Sequence, residues 1–191
     1  MKIVCLLGSP RLKGNSALLA ERLCNTLKQR GASVQTVALN KLKYQGCQAC
    51  MMCKTKLDHC SLKDDLAEVL ETVRDADALV LASPIYYGDV SSQLKAFIDR
   101  TYSYLVPDFY KNPNPSRLSS GKTLVFILTQ GQIDENQFAD VFPKYAYFFK
   151  WYGFESSYLI RACGVSNPGD VERRQSVLQM IDETAEKIIA L

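Results

Sequence analysis

Short apolar runs alternate with helical spacings from one end of this chain to the other, and that order constrains the fold more than any other feature. Lys2 to Leu7, Val34 to Leu39, Ala78 to Ala82, Thr123 to Leu128 and Tyr158 to Cys163 read as buried strands. A helix is expected from about Ser16, with Leu19, Leu23 and Leu27 on one face and Gly31 as its stop. Asp64 and Asp65 sit where a second helix favours negative charge, ahead of Leu66, Val69, Leu70 and Val73. Pro84 is expected to end the third strand, and Leu94, Phe97, Ile98 and Thr101 repeat the helical spacing beyond it. Phe138, Phe142, Tyr145, Phe149 and Tyr152 form an aromatic stripe in which Pro143 is expected to kink or split the helix. The last helix is expected to open at Asn167-Pro168 and to bury Val177, Ile181, Ala185 and Ile188.

Apolar strands separated by helices call for a parallel sheet covered on both faces. A length of 191 residues with 47% apolar content buries a full core, and no repeat or linker divides it. Residues 1–191 therefore read as a single doubly wound α/β domain. Ligands in such folds sit beyond the carboxyl ends of the strands, where the strand order switches. The loops after the first, third and fourth strands are the places to search.

The net charge of +3 is small and the basic residues are scattered, which argues against nucleic acid or a membrane surface as partner. The opening Met1-Lys2-Ile3-Val4-Cys5-Leu6-Leu7 is too short for a secretory apolar region, and no stretch approaches membrane-spanning length. A cytoplasmic location is the expectation. There, clustered cysteines act as ligands or redox groups more often than as disulfides, and the odd total of seven agrees.

The first loop, Gly8-Ser9-Pro10-Arg11-Leu12-Lys13-Gly14-Asn15-Ser16, offers small residues, hydroxyls, an amide and two cations ahead of a helix N-terminus. That suits a phosphate monoester. A Walker loop is excluded by spacing, since five residues separate Gly8 from Gly14 and Asn15 replaces the lysine; G-x-G-x-x-G is absent. Cys5 and Arg11 have the nucleophile-to-arginine spacing of small cysteine phosphatases, although Cys5 lies within the strand, Leu12 replaces the usual hydroxyl and no Asp-Pro pair is present. After the third strand, Pro84-Ile85-Tyr86-Tyr87-Gly88 frames two aromatics with a proline and a glycine, an arrangement suited to a flat ring held by backbone groups. Thr129-Gln130-Gly131 offers close backbone approach from a third loop.

The segments Gly8-Ser9-Pro10-Arg11, Gly14-Asn15-Ser16, Pro84 to Gly88 and Leu94-Lys95-Ala96-Phe97-Ile98-Asp99-Arg100 resemble the NADPH-dependent FMN reductases of flavodoxin-like fold. The resemblance spans about the first two-thirds of the chain. It implies sheet order 2-1-3-4-5 and FMN as cofactor, with phosphate at Ser9, Arg11, Asn15 and Ser16. The ring would lie against Pro84, Ile85, Tyr86, Tyr87 and Gly88 and near Gln130 and Gly131. The activity implied is an FMN-dependent oxidoreductase using NAD(P)H as co-substrate and reducing a flavin or a quinone-type acceptor. The flavin carries that chemistry, so no catalytic side chain is assigned.

Cys47, Cys50 and Cys53 repeat the spacing of ferredoxin cluster runs, and Cys60 follows six residues later. With Asp64-Asp65 behind it, the run resembles that of the iron–sulfur flavoproteins, which implies a 4Fe–4S cluster held by Cys47, Cys50, Cys53 and Cys60 and electron transfer between protein partners. Related runs in flavodoxin-like reductases do not imply a cluster, and zinc, with His59 as a mixed ligand, is a third reading. His59 reads more simply as solvent-facing, and Cys5, Cys24 and Cys163 as small hydrophobes. The acceptor is expected to be a small molecule or a redox protein. The aromatic stripe and the long 103–120 loop point to a homodimer or homotetramer.

Overall fold

The computed structural model describes residues 1–190. Six strands form the sheet: β1 Lys2–Leu7, β2 Ser33–Ala38, β3 Ala78–Tyr86, β4 Asp89–Val90, β5 Lys122–Thr129 and β6 Phe154–Ala162. Five of them are parallel in the order β2-β1-β3-β5-β6, and β4 pairs antiparallel with the end of β3. Counting only the parallel strands, this is the order 2-1-3-4-5.

Alternation along each strand sends side chains to two cores. Val4, Leu6, Leu79, Leu81, Leu124, Phe126 and Leu128 face one side; Ile3, Cys5, Ala78, Val80, Val125 and Ile127 face the other. The first core is covered by α3 Asp65–Arg74, α4 Ser92–Arg100 and α5 Val141–Lys150, the second by α1 Asn15–Gln29 and α6 Gln175–Ile189. A short helix, α2 Met52–Thr55, lies inside the cysteine segment. No helix among the described residues is long and apolar enough to cross a membrane.

Several boundaries differ from the sequence reading, each for a physical reason. Pro84 does not end β3; it takes the last rung opposite Thr129, where a missing N–H disturbs little. β6 begins at Phe154 rather than Tyr158, through exposed Glu155 and half-buried Ser156, which carry no apolar signal. Pro143 is the third residue of α5, inside the first turn whose N–H groups have no intrahelical partner, so the helix is not split. Phe138 lies outside α5 with φ +63°. Asn167-Pro168 does not start a helix. The Asp170 carboxylate accepts from the Ser166 and Asn167 N–H groups at 2.9 and 2.8 Å, and Gly169 turns left-handed at φ +88°. A 3₁₀ turn Asp170–Arg173 follows, and α6 begins only at Gln175.

The long loop after α4 is held by a bridge within itself and by a bond to α3. Leu105 and Ser116 form an isolated bridge, and the fully buried Tyr104 donates its hydroxyl to Leu70 O at 2.8 Å.

Candidate functional site

A cavity of about 230 Å³ lies at the carboxyl ends of β1, β3, β5 and β6. Ser9, Arg11, Asn15 and Ser16 line it from the first loop, Pro84, Ile85 and Tyr86 from the second, and Gln130 and Gly131 from the third. Tyr87 and Gly88 stand at the tip of the second loop, outside that wall.

The first loop is shaped for an anion. Gly14 precedes α1 with no side-chain cap, and the first turn carries no acidic residue, so the N-terminal N–H groups and the helix dipole are open to the cavity. Ser9, Asn15 and Ser16 are buried and Arg11 is exposed. Ser9 Oγ accepts from the Arg11 N–H at 3.1 Å, which curls the loop inward. Asn15 donates through Nδ2 to Asn167 O at 2.9 Å, leaving Oδ1 buried without a partner. A buried orphan acceptor in a lined cavity marks a place for a donor such as a hydroxyl.

The second loop is a two-residue hairpin. Tyr86 pairs with Asp89 and Ile85 with Val90, so Tyr87 and Gly88 make the turn at φ +49° and +78°. Both central residues are left-handed, as in a type I′ turn, where asparagine and glycine are the usual occupants. A tyrosine at the first position costs roughly 1–2 kcal/mol, and its ring projects fully into solvent. The Phe138 ring closes over Gly88, 3.2 Å from where a Cβ would stand.

In the third loop the Gln130 side chain is already engaged. Its Nε2 donates to Gln132 O and Asp134 O at 3.2 Å each, and its Oε1 accepts from Arg161 Nε at 3.2 Å and Nη2 at 2.6 Å. Gln130 therefore shapes the 131–138 segment and meets the cavity without a free amide. A Cβ on Gly131 would come within 2.9 Å of Ser166 Oγ.

Sequence reasoning missed the loop after β6. Val165, Ser166 and Pro168 complete the wall, and Asn167 O holds Asn15. Its position after a strand of the same sheet was the available signal, but Asn-Pro read as a helix start.

Cys5 is fully buried within β1, and its thiol is pushed up by its hydrogen bond with Cys24 and by burial. A thiol so held is not a nucleophile, which removes the phosphatase reading. Cys24 is buried as expected, and Cys163 is half-buried.

The cysteine segment lies elsewhere, against α3, α4 and the long loop. Cations hold it by its carbonyls. Arg117 donates to Cys53 O at 2.9 Å, Arg74 to Asp58 O at 3.0 Å, and the fully buried Arg100 to Gln45 O and Leu62 O at 3.3 Å. Arg100 Nη1 also reaches both oxygens of Asp64 at 2.6 and 2.7 Å. Burial opposes ionisation of Asp64, yet the Arg100 bond and the Gln45 N–H hold its carboxyl below the ordinary range. Lys54 donates to Tyr102 O and Leu105 O at 2.6 Å each.

Cys47 and Cys50 are exposed and Cys53 and Cys60 half-buried. Cys50 Sγ lies 3.2 Å from Ser61 Oγ, a contact that lowers its thiol pKa. Among the described residues no three of His, Cys, Asp and Glu stand close enough to hold one metal ion. The four thiols do not form a closed ligand set as they stand, and Ala49 and Met51, at φ +51° and +56°, carry strained backbone between them. His59 is exposed and pairs with Asp58 at 2.8 Å.

A parallel sheet in this order, with loops converging beyond the carboxyl ends of its strands on an uncapped helix N-terminus, defines a flavodoxin-like doubly wound protein. The family model for NADPH-dependent FMN reductases matches residues 1–140, and the chain belongs to that family. It is 37% identical over 101 residues to an iron–sulfur flavoprotein of Methanocaldococcus jannaschii, covering 53% of this chain and 52% of the relative. An iron–sulfur flavoprotein of Methanosarcina thermophila is 34% identical over 122 residues, 63% of each chain. The chain thus spans about half the length of the first curated relatives it matches. Among solved structures, an NAD(P)H:quinone oxidoreductase from Methanothermobacter marburgensis superposes with TM-score 0.77 at 19% identity, over 98% of this chain and 96% of the other. An FMN-dependent NADH-azoreductase from Bacillus anthracis, in complex with FMN, gives 0.73 at 17% identity, over 99% and 100%. At such identities the likeness is one of fold.

Proposed function

We propose that this protein binds FMN in the cavity between the first, second and third loops and works as an NAD(P)H-dependent reductase of a flavin or quinone-type acceptor. The observation that carries the reading is the meeting of an uncapped α1 N-terminus, the orphan Oδ1 of Asn15 and the Pro84–Tyr86 rim in one cavity. The donor chemistry fits the cofactor. Ser9, Arg11, Ser16 and the first N–H groups of α1 would hold the phosphate, and Asn15 Oδ1 would accept from a hydroxyl of the chain joining phosphate to ring. Pro84, Ile85 and Tyr86, with the backbone at Gln130 and Gly131, would border the ring inside the cavity, and Tyr87 and Gly88, at the loop tip, would border the part that projects from it.

When bound, FMN supplies the group that takes a hydride from NAD(P)H and passes two electrons onward. The protein's share is to bind and orient; no side chain in the cavity is placed as an acid or base. Titration with FMN, riboflavin and FAD, followed by anaerobic mixing with NADPH and NADH, tests the reading. Tighter binding of FMN than of riboflavin supports the phosphate loop, and equal affinity refutes it.

A second reading rests on the Cys47–Cys60 run and on the similarity to iron–sulfur flavoproteins. There the cysteines hold a 4Fe–4S cluster and the acceptor is a redox protein. The thiols would have to rearrange to converge, so no electron path is drawn through them. Tyr110, Tyr147 and Phe148 expose an aromatic face beside Trp151, and we assign self-association into an even-numbered homo-oligomer to that face.

A further inference from the structure

The Tyr87–Gly88 turn poses a mechanical problem. It is strained at Tyr87, and only two rungs of ladder support it, Ile85↔Val90 and Tyr86↔Asp89. So short a ladder does not hold a strained turn by itself.

The support comes from outside the hairpin. Asp89, the first residue after the turn, accepts from Tyr145 Oη at 2.7 Å and from Lys144 Nζ at 2.9 Å, both on α5. Its Oδ1 also accepts from the Val90 N–H at 2.7 Å. Burial opposes ionisation of Asp89, but the bonds from Tyr145 and Lys144 prevail and keep its carboxyl below the ordinary range. Burial and the Asp89 bond push Tyr145 upward, so its hydroxyl remains a donor. Tyr145 is itself fixed, stacked on Phe126 of β5 with centroids 5.7 Å apart and planes within 13°. The clamp therefore runs from the sheet core, through one phenol, to the base of the turn.

We infer that Asp89 is a positioning residue for the flavin ring: through Tyr145 and Lys144 it holds the Tyr86–Tyr87–Gly88 backbone in the shape that receives the ring. The inference rests on the flavin reading and extends it to residues that do not border the cofactor through their side chains. Of these residues the sequence singles out only Tyr145, as a member of the aromatic stripe. Because the clamp acts on the ring's loop and not on the phosphate loop, its loss should weaken FMN and riboflavin by the same factor. A change in the phosphate loop should weaken FMN alone.

The test compares wild type, Asp89→Ala, Asp89→Asn and Tyr145→Phe by fluorescence titration with FMN and with riboflavin, with urea unfolding of each apoprotein alongside. Asp89→Ala should bind both flavins roughly tenfold more weakly, Tyr145→Phe should fall between, and Asp89→Asn, which keeps an acceptor for Tyr145, should recover part of the loss. The reduction potential of the bound flavin should move in Asp89→Ala, a readout that loss of global stability alone does not alter. Unchanged affinities and potential in Asp89→Ala and Tyr145→Phe overturn the inference, as does a loss confined to FMN. Tyr145→Phe removes a single oxygen and keeps the test decisive should Asp89→Ala fold poorly. Wild type that binds neither flavin would overturn the flavin reading itself, an outcome distinct from variants that bind as wild type does.

Discussion

Replacing Asp64 by alanine strips one carboxylate of several duties at once, and the structure sets the size of the effect. Asp64 caps α3 by accepting from the Leu66 N–H at 3.2 Å, accepts from the Gln45 N–H at 3.1 Å, and is the counterion of the fully buried Arg100. Losing the cap costs about 1 kcal/mol. Leaving a buried guanidinium unpaired costs about 3–5 kcal/mol. The lower end applies, because one nitrogen, Nη1, makes both contacts to the carboxylate, Nε has no partner, and carbonyls of Gln45 and Leu62 still reach the guanidinium. A loss of about 4 kcal/mol is expected, within the roughly 5–15 kcal/mol that holds a domain together. Urea unfolding of the apoprotein measures it. Asp64→Ala combined with Arg100→Met should be less destabilised than the two single losses added, since no buried charge is then stranded. The acid limb gives an independent check. The folded pKa of Asp64 is lowered, so its stabilisation is complete above the unfolded carboxyl value near about 4 and disappears as pH falls through the folded pKa; Asp64→Ala should lose that part of the pH dependence. A cost under about 1 kcal/mol, the value of the cap alone, or strict additivity in the double variant, refutes the reasoning.

Further outcomes follow. On the proposed reading, Arg11→Ala should weaken FMN by roughly ten- to a hundredfold and leave riboflavin unchanged, because the guanidinium would meet only the phosphate; paired titrations check it. Gly8→Ala places a Cβ 2.8 Å from Leu94 Cβ and 2.9 Å from Ser91 Oγ, and should cost about 1–3 kcal/mol in thermal unfolding. Gly131→Ala meets only the movable Ser166 Oγ and should cost less in the same assay. If Cys47, Cys50, Cys53 and Cys60 hold a cluster, anaerobic reconstitution with iron and sulfide should load the protein and any single serine substitution should prevent loading while FMN stays bound; iron-free protein sinks that reading. FMN-loaded protein should sediment as an even oligomer at micromolar concentration, and Phe148→Lys should dissociate it.

The sheet was legible because its inner strands β1, β3 and β5 are largely buried on both faces, so each is a nearly unbroken apolar run whose end marks a loop, whereas the edge strands β2 and β6 are partly exposed. The loops that line the cavity were legible because they follow the carboxyl ends of those inner strands. What escaped depended on side chains reaching across the chain. Asn167-Pro168 has the letters of a helix start, but the Asp170 carboxylate captures the N–H groups ahead of it and makes a turn instead. Gln130 reads only as a neighbour of the ring, and nothing local tells that its side-chain oxygen accepts from Arg161, 31 residues later. Arg100 belongs to a recognisable segment, yet nothing local tells that it is a fully buried counterion. The cysteine spacing reports distance along the chain and says nothing of where four sulfurs point.

The cavity at the strand ends and the cysteine segment are braced by different residues, and that separation bears on how the chain can work. The first and second loops are joined by the chain's own hydrogen bonds: Ser91 Oγ donates to Gly8 O at 2.6 Å, the Ser91 N–H reaches Ser83 Oγ at 2.9 Å, and the Gly8 N–H reaches Ala82 O at 2.8 Å. A cavity assembled in advance spends little of its binding energy on ordering loops. The cysteine segment instead hangs on Arg74, Arg100, Arg117 and Lys54, none of which touches the cavity wall. Loss of one bracing set therefore leaves the other in place. A cavity that persists when the thiols are altered is what this arrangement requires.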